Sequence, residues 1–332
     1  MRRGAADARR LACWLLGFSA ILVPTAAGAA STFLVVNLDG PGEGLNDPSP
    51  VSPSGGNPGT TLGEARLEAV QLAAAVWAQV LTSDVPIRVG VRFDPLGGSE
   101  TSGALGLGGT ASVFRDFAGA PRPATWYPSA LADRLAGVDL APSEVDVTLT
   151  FNSDTDGDVF LGTTHFYYGF DAAPPAGDVD FVSVALHELA HGLGFITFVD
   201  LATGEKLLGH DDAYLVHLEN HGATPPDFPS MTDAERLAAY TAGAALHWTG
   251  ASAVAAGAGL ASGVGAGGHL EMYSPDPPDD LLSLVHLSPG VVPDELMEPF
   301  YTEPSTRLEL TRALFEDLGW GGAGQCVDPS QP

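Results

Sequence analysis

The stretch HELAHGLG, residues 187–194, limits this chain more than any other feature. His187 and His191 are four residues apart, so a helix sets both imidazoles on one face, about one turn from each other. Two neutral imidazoles placed in this way can converge on one zinc ion. The adjacent Glu188 then points beside the metal, where a carboxylate can serve as a base. Catalytic zinc takes three protein ligands, so a fold built on this helix must bring a third donor to it. The bland alternative is a helix that carries two ordinary histidines.

The flanking residues favour a helix. In DFVSVALHELAHGLG, Asp180 is a residue type that caps helix N-termini, and Gly194 suits a left-handed C-terminal turn. Three residues beyond that glycine stands Thr197, whose hydroxyl is a weak zinc donor. The candidates for the third ligand are His286 in VHLSPGVVPDELMEPFY, His269 in GGHLEMY, and His210 or Asp211 in GHDDAY. His165, His217, His221 and His247 read as ordinary surface or core histidines.

Charge and the N-terminus narrow the setting. A basic start, MRRGAADARR, precedes the apolar run LACWLLGFSAILVP and the small-residue triplet AGA at Ala27–Ala29, the order of a secretory leader over residues 1–29. The 332-residue chain has a formal net charge of −27. Loss of the leader removes four arginines and one aspartate, leaving 10 basic and 40 acidic residues, a net of −30. Lys206 is the only lysine. Such a surface repels phosphate backbones and anionic bilayers, so neither nucleic acid nor membrane insertion is expected. Cys13 leaves with the leader and Cys326 remains alone in the tail, which excludes an internal disulfide and a cysteine-rich zinc site.

Periodicity marks several elements. Thr61 and Glu64 form a capping box ahead of Leu67, Val70, Ala74, Trp77 and Leu81 at helical spacing. IRVGVRF (87–93) and VDVTLTF (145–151) alternate apolar and polar residues as half-buried strands do, and THFYYGF (164–170) is a third strand candidate. The glycine- and proline-rich stretch 95–130 discloses no pattern. TDAERLAAYTAGAAL reads as helix, GASAVAAGAGLASGVGAGG as a flexible loop, and 306–318 as the last helix, ended by Gly319. NSDTDGDVFLGT begins like a calcium loop, with Asp154, Asp156 and Asp158 as candidate Ca2+ ligands, but its twelfth position is Thr163 where a glutamate belongs.

HELAHGLGF resembles the metzincin metalloproteases, whose motif continues from the glycine to a third histidine three residues on. Thr197 departs from that pattern. The leishmanolysin-like branch departs in the same way: a long insertion follows the glycine, and the third histidine comes just before a methionine turn. DELMEP, with His286 eleven residues before Met297, is similar to that branch. GNPGTTLGEARLEAVQLAAAVWAQVL, FNS, FYYGFD, LMEPF and LFEDLGW resemble bacterial secreted zinc metalloproteases, over about residues 37–320.

The resemblance implies an α+β, metzincin-like catalytic domain over residues 30–320. Its upper subdomain (about 30–195) would hold a mixed sheet and the active-site helix. The lower subdomain (about 196–320) would be irregular and partly helical, and a polar tail (321–332) would follow. His187, His191 and His286 would hold one Zn2+, with Glu188 as the general base. His269, in a flexible-looking segment, is the less rigid choice of ligand. Met297 would form a hydrophobic floor, FYYGF would be the edge strand along the cleft, and Tyr301 would reach the zinc or the substrate oxyanion. The expected function is that of a secreted zinc-dependent endopeptidase acting on protein or peptide. The alternative is a non-catalytic, zinc-stabilised surface or adhesion module on a protease-like fold. A zinc hydrolase of a non-peptide amide is a third reading. Retention of Glu188 argues against the module, because zinc binding alone does not require it.

Overall fold

A computed structural model of the chain describes residues 31–157 and 161–321. The expected leader, Asp158 and Cys326 lie outside the described residues. The fold is mixed α/β with mixed sheets, in keeping with an α+β class.

The central sheet has four strands: β1 (Phe33–Asn37), β2 (Ile87–Asp94), β3 (Gly106–Thr110) and β4 (Val147–Asn152), in spatial order β1-β2-β4-β3. The first three in that order run parallel, and β3 lies antiparallel to β4 as an edge. The alternation read from the sequence holds for Ile87, Val89, Val91 and Phe93 and for Val147, Leu149 and Phe151, which are buried. It fails at the start of the VDVTLTF stretch: Val145 is half-buried and Asp146 is buried, drawn in by the Arg88 N–H it accepts from at 2.7 Å. Helix α1 (Leu62–Val80) starts at the expected capping box, in which Glu64 N–H donates to the Thr61 hydroxyl at 3.2 Å. It packs on helix α3 (Phe181–Leu193), and the fully buried Trp77 donates its indole N–H to the Leu186 carbonyl at 3.1 Å. A short helix, α2 (Ser129–Ala136), lies between β3 and β4 in the chain.

Two expectations in this half are corrected. The edge strand comes from the patternless stretch, as β3. THFYYGF gives only a two-residue pairing of Phe166–Tyr167 with Val179–Asp180. The reason is aromatic packing: the rings of Phe166 and Tyr168 lie 5.1 and 5.0 Å from the ring of Phe181 at the start of α3, which draws the segment inward.

The second half holds a three-stranded antiparallel sheet of β5 (Leu218–Asn220), β6 (Leu246–Trp248) and β7 (Leu270–Glu271). Three helices accompany it: α4 (Asp233–Ala239), α5 (Ala251–Ala256) and α6 (Glu309–Leu318). The helix expected across TDAERLAAYTAGAAL stops at Ala239, and Gly243, at φ 58°, turns the chain away. The Gly/Ala-rich stretch is not wholly loop, because it contains α5. The first free N–H groups of that helix, on Ser252 and Ala253, donate to the Asp317 carboxylate of α6 at 2.8 and 3.1 Å. A cap supplied from 65 residues away leaves no local trace in the sequence. Helix α6 begins three residues later than expected and ends at Gly319, in the left-handed region at φ 110°. One contiguous apolar core runs from Leu45 to Trp320 and joins the two expected subdomains. Among the described residues no helix is long and apolar enough to cross a membrane.

Candidate metal centre

Helix α3 is fixed at both ends. Asp180 caps it as expected, accepting from Ser183 N–H at 2.8 Å and from the Ser183 hydroxyl at 2.6 Å. At the other end Gly194 takes φ 131°, a conformation that side chains resist. The chain then doubles back, so that Phe195 N–H donates to the Ala190 carbonyl at 2.9 Å. The Trp320 indole donates to the Leu193 carbonyl at 3.1 Å, satisfying one of the orphan acceptors of the last turn.

Two histidines of this helix meet a third from far along the chain. The Nε2 atoms of His187, His191 and His286 lie 3.1, 3.1 and 3.2 Å apart. Every Nδ1 faces a backbone carbonyl: Leu296 O for His187 at 2.7 Å, Phe195 O for His191 at 2.8 Å, and Leu282 O for His286 at 2.9 Å. A carbonyl only accepts, so each Nδ1 carries the proton, and that assignment leaves each Nε2 as a bare lone pair. Burial lowers the pKa of all three imidazoles, His191 to about 3, which favours neutral rings. Three lone pairs thus face one another with no proton among them.

Such a cluster repels itself unless a cation stands between its members. Tetrahedral zinc at 2.0–2.1 Å from each nitrogen places the nitrogens about 3.3–3.4 Å apart, close to the spacing here. The donor set therefore fits a divalent ion. The carbonyl behind each ring fixes its tautomer and orientation, as carbonyls and carboxylates do behind metal-bound histidines.

The segment that carries His286 is tied down twice. Leu287 N–H donates to the Met297 carbonyl at 2.8 Å, and Tyr273 N–H donates to the His286 carbonyl at 2.9 Å. Leu284, two residues before His286, is fully buried at φ 69°, in the left-handed region that non-glycine residues avoid. Met297 is fully buried in the core, and the preceding Leu296 supplies the carbonyl that holds His187.

Glu188 is buried beside this cluster, and burial pushes its carboxyl pKa up to about 8, against a hydrogen bond from the Gly108 backbone. The edge strand β3 lies directly against it. A Cβ on Gly106 would stand 2.9 Å from Glu188 Cγ, and one on Gly108 would stand 2.0 Å from the Glu188 carbonyl oxygen. The glycines of β3 are therefore what let an edge strand lie on this helix. Sequence reasoning missed them. The only signal was the Gly-x-Gly spacing in GALGLGG, which permits close approach but names no partner.

The remaining candidates lie outside the histidine cluster. Thr197 donates its hydroxyl to Asp212 Oδ2 at 2.8 Å. Asp211 pairs with Lys206 at 2.6 Å, and His210 packs edge-on to Trp126. His269 sits in a different cluster, with Glu219 and His221. Tyr301 lines the same cleft as the histidines, and its hydroxyl accepts from Asp180 N–H at 3.0 Å, at the start of α3. In the calcium-like stretch, Asp156 is committed to Arg66 at 2.6 Å and to the Tyr168 hydroxyl at 2.7 Å, and Asp154 accepts from Gly97 N–H at 3.3 Å. These contacts engage Oδ2 of each aspartate, and Asp158, the third candidate ligand, lies outside the described residues.

The histidine cluster and Glu188 open into a cleft of 880 Å3, lined by residues 101–108 and by parts of the 279–286 and 294–305 segments. No family model, curated protein or solved structure matches the chain.

Proposed function

We propose that the chain is a secreted zinc-dependent endopeptidase of metzincin type, in which His187, His191 and His286 hold the ion. The observation that carries this reading is the convergence of three unprotonated Nε2 atoms at 3.1–3.2 Å in the wall of an open cleft, beside a buried glutamate. The sequence likeness of HELAHGLGF and DELMEP to the leishmanolysin-like branch supports it.

A zinc ion held there supplies Lewis acidity toward a carbonyl and a water. Glu188 takes the proton from the attacking water and hands it to the leaving amine. A carboxyl that burial has brought toward neutral pH can both accept and return a proton. β3 is the edge strand of its sheet, and its outer backbone groups beyond the Gly108 N–H held by Glu188 can pair with an extended peptide, the mode of recognition that adds a strand to a sheet.

Metal content and casein cleavage of the leaderless chain, with and without a chelator, test the reading. The expected result is at least one strongly held zinc per chain and cleavage that chelation abolishes. Zinc without cleavage of casein or of a broad peptide library would favour the non-catalytic module.

A further inference from the structure

A second group of imidazoles gathers on the three-stranded sheet of the other half. Glu219 in β5, His221 just beyond it and His269 just before β7 bring donor atoms within 4.8 Å of one another. His221 Nε2 lies 3.2 Å from Glu219 Oε2 and 3.1 Å from His269 Nδ1. His247 in β6 faces Glu219 across the strand pair, and its ring stacks on that of His221 with centroids 4.1 Å apart. The buried Nε2 of His247 has no hydrogen-bond partner.

Proton placement within the group always leaves one of its three donor atoms without a partner inside it. A proton on His221 Nε2 can point along only one of two lines. If it goes to the Glu219 carboxylate, His269 Nδ1 faces a hydrogen already used. If His269 donates to His221 instead, the His221 lone pair faces a carboxylate oxygen at 3.2 Å. A cation accepts from both nitrogens and the carboxylate together.

We propose that Glu219, His221 and His269 form a second metal site, for a divalent ion of zinc type. Two imidazoles and a carboxylate are the donors such ions take, and a calcium or magnesium site would be built from oxygens. The ion would act as a clamp. His269 ends the run Gly265–Gly268, in which Gly267 and Gly268 both take φ 79°, and it lies 48 residues from His221. A metal bridge would fasten this pliable run to the end of β5 and close a long excursion of the chain. The site shares no residue with the cluster on α3 and does not depend on the protease reading.

Equilibrium dialysis against zinc tests it, on the unaltered chain and on the His221→Gln, His269→Gln double variant. The expected result is one fewer zinc per chain in the variant at saturation, with casein cleavage unchanged. Equal zinc counts would overturn the proposal. A second measurement needs no variant: labelling of histidines by diethyl pyrocarbonate, read by mass spectrometry. Added zinc should protect His221 and His269 at least several-fold while leaving His210 unchanged. Equal labelling with and without zinc refutes the site. Since chelation and casein cleavage report on the cleft, and these counts report on the sheet, either reading can fail without the other.

Discussion

At the scale of single residues, the proposed function gives Glu188 and the three histidines separate roles. Glu188 is placed against β3 and donates nothing to the histidine cluster. Glu188→Gln should therefore keep the zinc content while peptide cleavage falls by about 10²–10⁴-fold, the usual contribution of a positioned base. Equal cleavage by the two chains would remove Glu188 from the mechanism. Thr197 and His286 make the complementary pair. His286→Ala opens a gap in the cluster and should release zinc under dialysis that the unaltered chain withstands. Thr197→Ala should leave the zinc content alone and cost stability instead. The buried Asp212 would lose its hydroxyl partner and keep only the backbone N–H groups of Phe198, Tyr214 and Leu215. A loss of about 1–3 kcal/mol follows for a buried acceptor deprived of one bond, readable by denaturant unfolding. If Thr197→Ala loses zinc and His286→Ala does not, the ligand assignment is wrong.

At the scale of elements, β3 lies against the backbone of α3 with no room for a side chain at Gly108. Gly108→Ala would drive a methyl into the Glu188 carbonyl oxygen, backbone against backbone, so neither side can step aside as a flexible side chain would. Thermal unfolding should show a loss of at least about 1–3 kcal/mol, and Gly109→Ala, whose added Cβ meets nothing within 4 Å, is the control. A pH effect belongs to α2 and the residue before β4. Asp133 and Asp146 are buried together, and burial pushes Asp133 up to about 7 and Asp146 upward as well. The folded state then keeps a proton that the unfolded chain releases, so this contribution is present below about pH 4 and is lost as pH rises toward 7. Asp133→Asn should gain stability relative to the parent between those limits, and a difference that does not change with pH would contradict the assignment. The same elements show what the sequence can disclose. The α1 capping box, the alternation of β2 and β4, the two caps of α3 and the spacing of His187 and His191 are local patterns, and each stands where it was read. The edge strand β3 and helix α5 depend on contacts with α3 and Asp317 that no neighbouring residue announces. His286 lies between these cases: its place came from likeness to a methionine turn, and the structure brings its Nε2 to the other two.

At the scale of the whole molecule, charge governs what can approach. The chain is strongly acidic, at −27, and its cleft follows suit: Asp279, Asp280, Asp294, Glu295, Glu298 and Glu303 line it, and among the described residues no lysine or arginine does. Burial pushes Glu295 and Glu298 each up to about 7, so both gain charge as the solution passes neutrality. A cleft lined by one sign of charge within low-dielectric walls concentrates ligands of the opposite sign and speeds their capture. Peptides carrying lysine or arginine near the scissile bond should therefore show a kcat/KM about tenfold or more above matched peptides carrying glutamate. Salt shortens the reach of these charges, from about 10 Å at 0.1 M to about 3 Å at 1 M, so the advantage should shrink severalfold across that range. It should also widen as pH rises from 6 to 8, as Glu295 and Glu298 ionise around 7. Matched peptide pairs assayed over salt and pH provide the measurement. Equal rates for basic and acidic peptides at low salt, or a preference indifferent to salt, would show that the acidity of the cleft serves solubility and not selection.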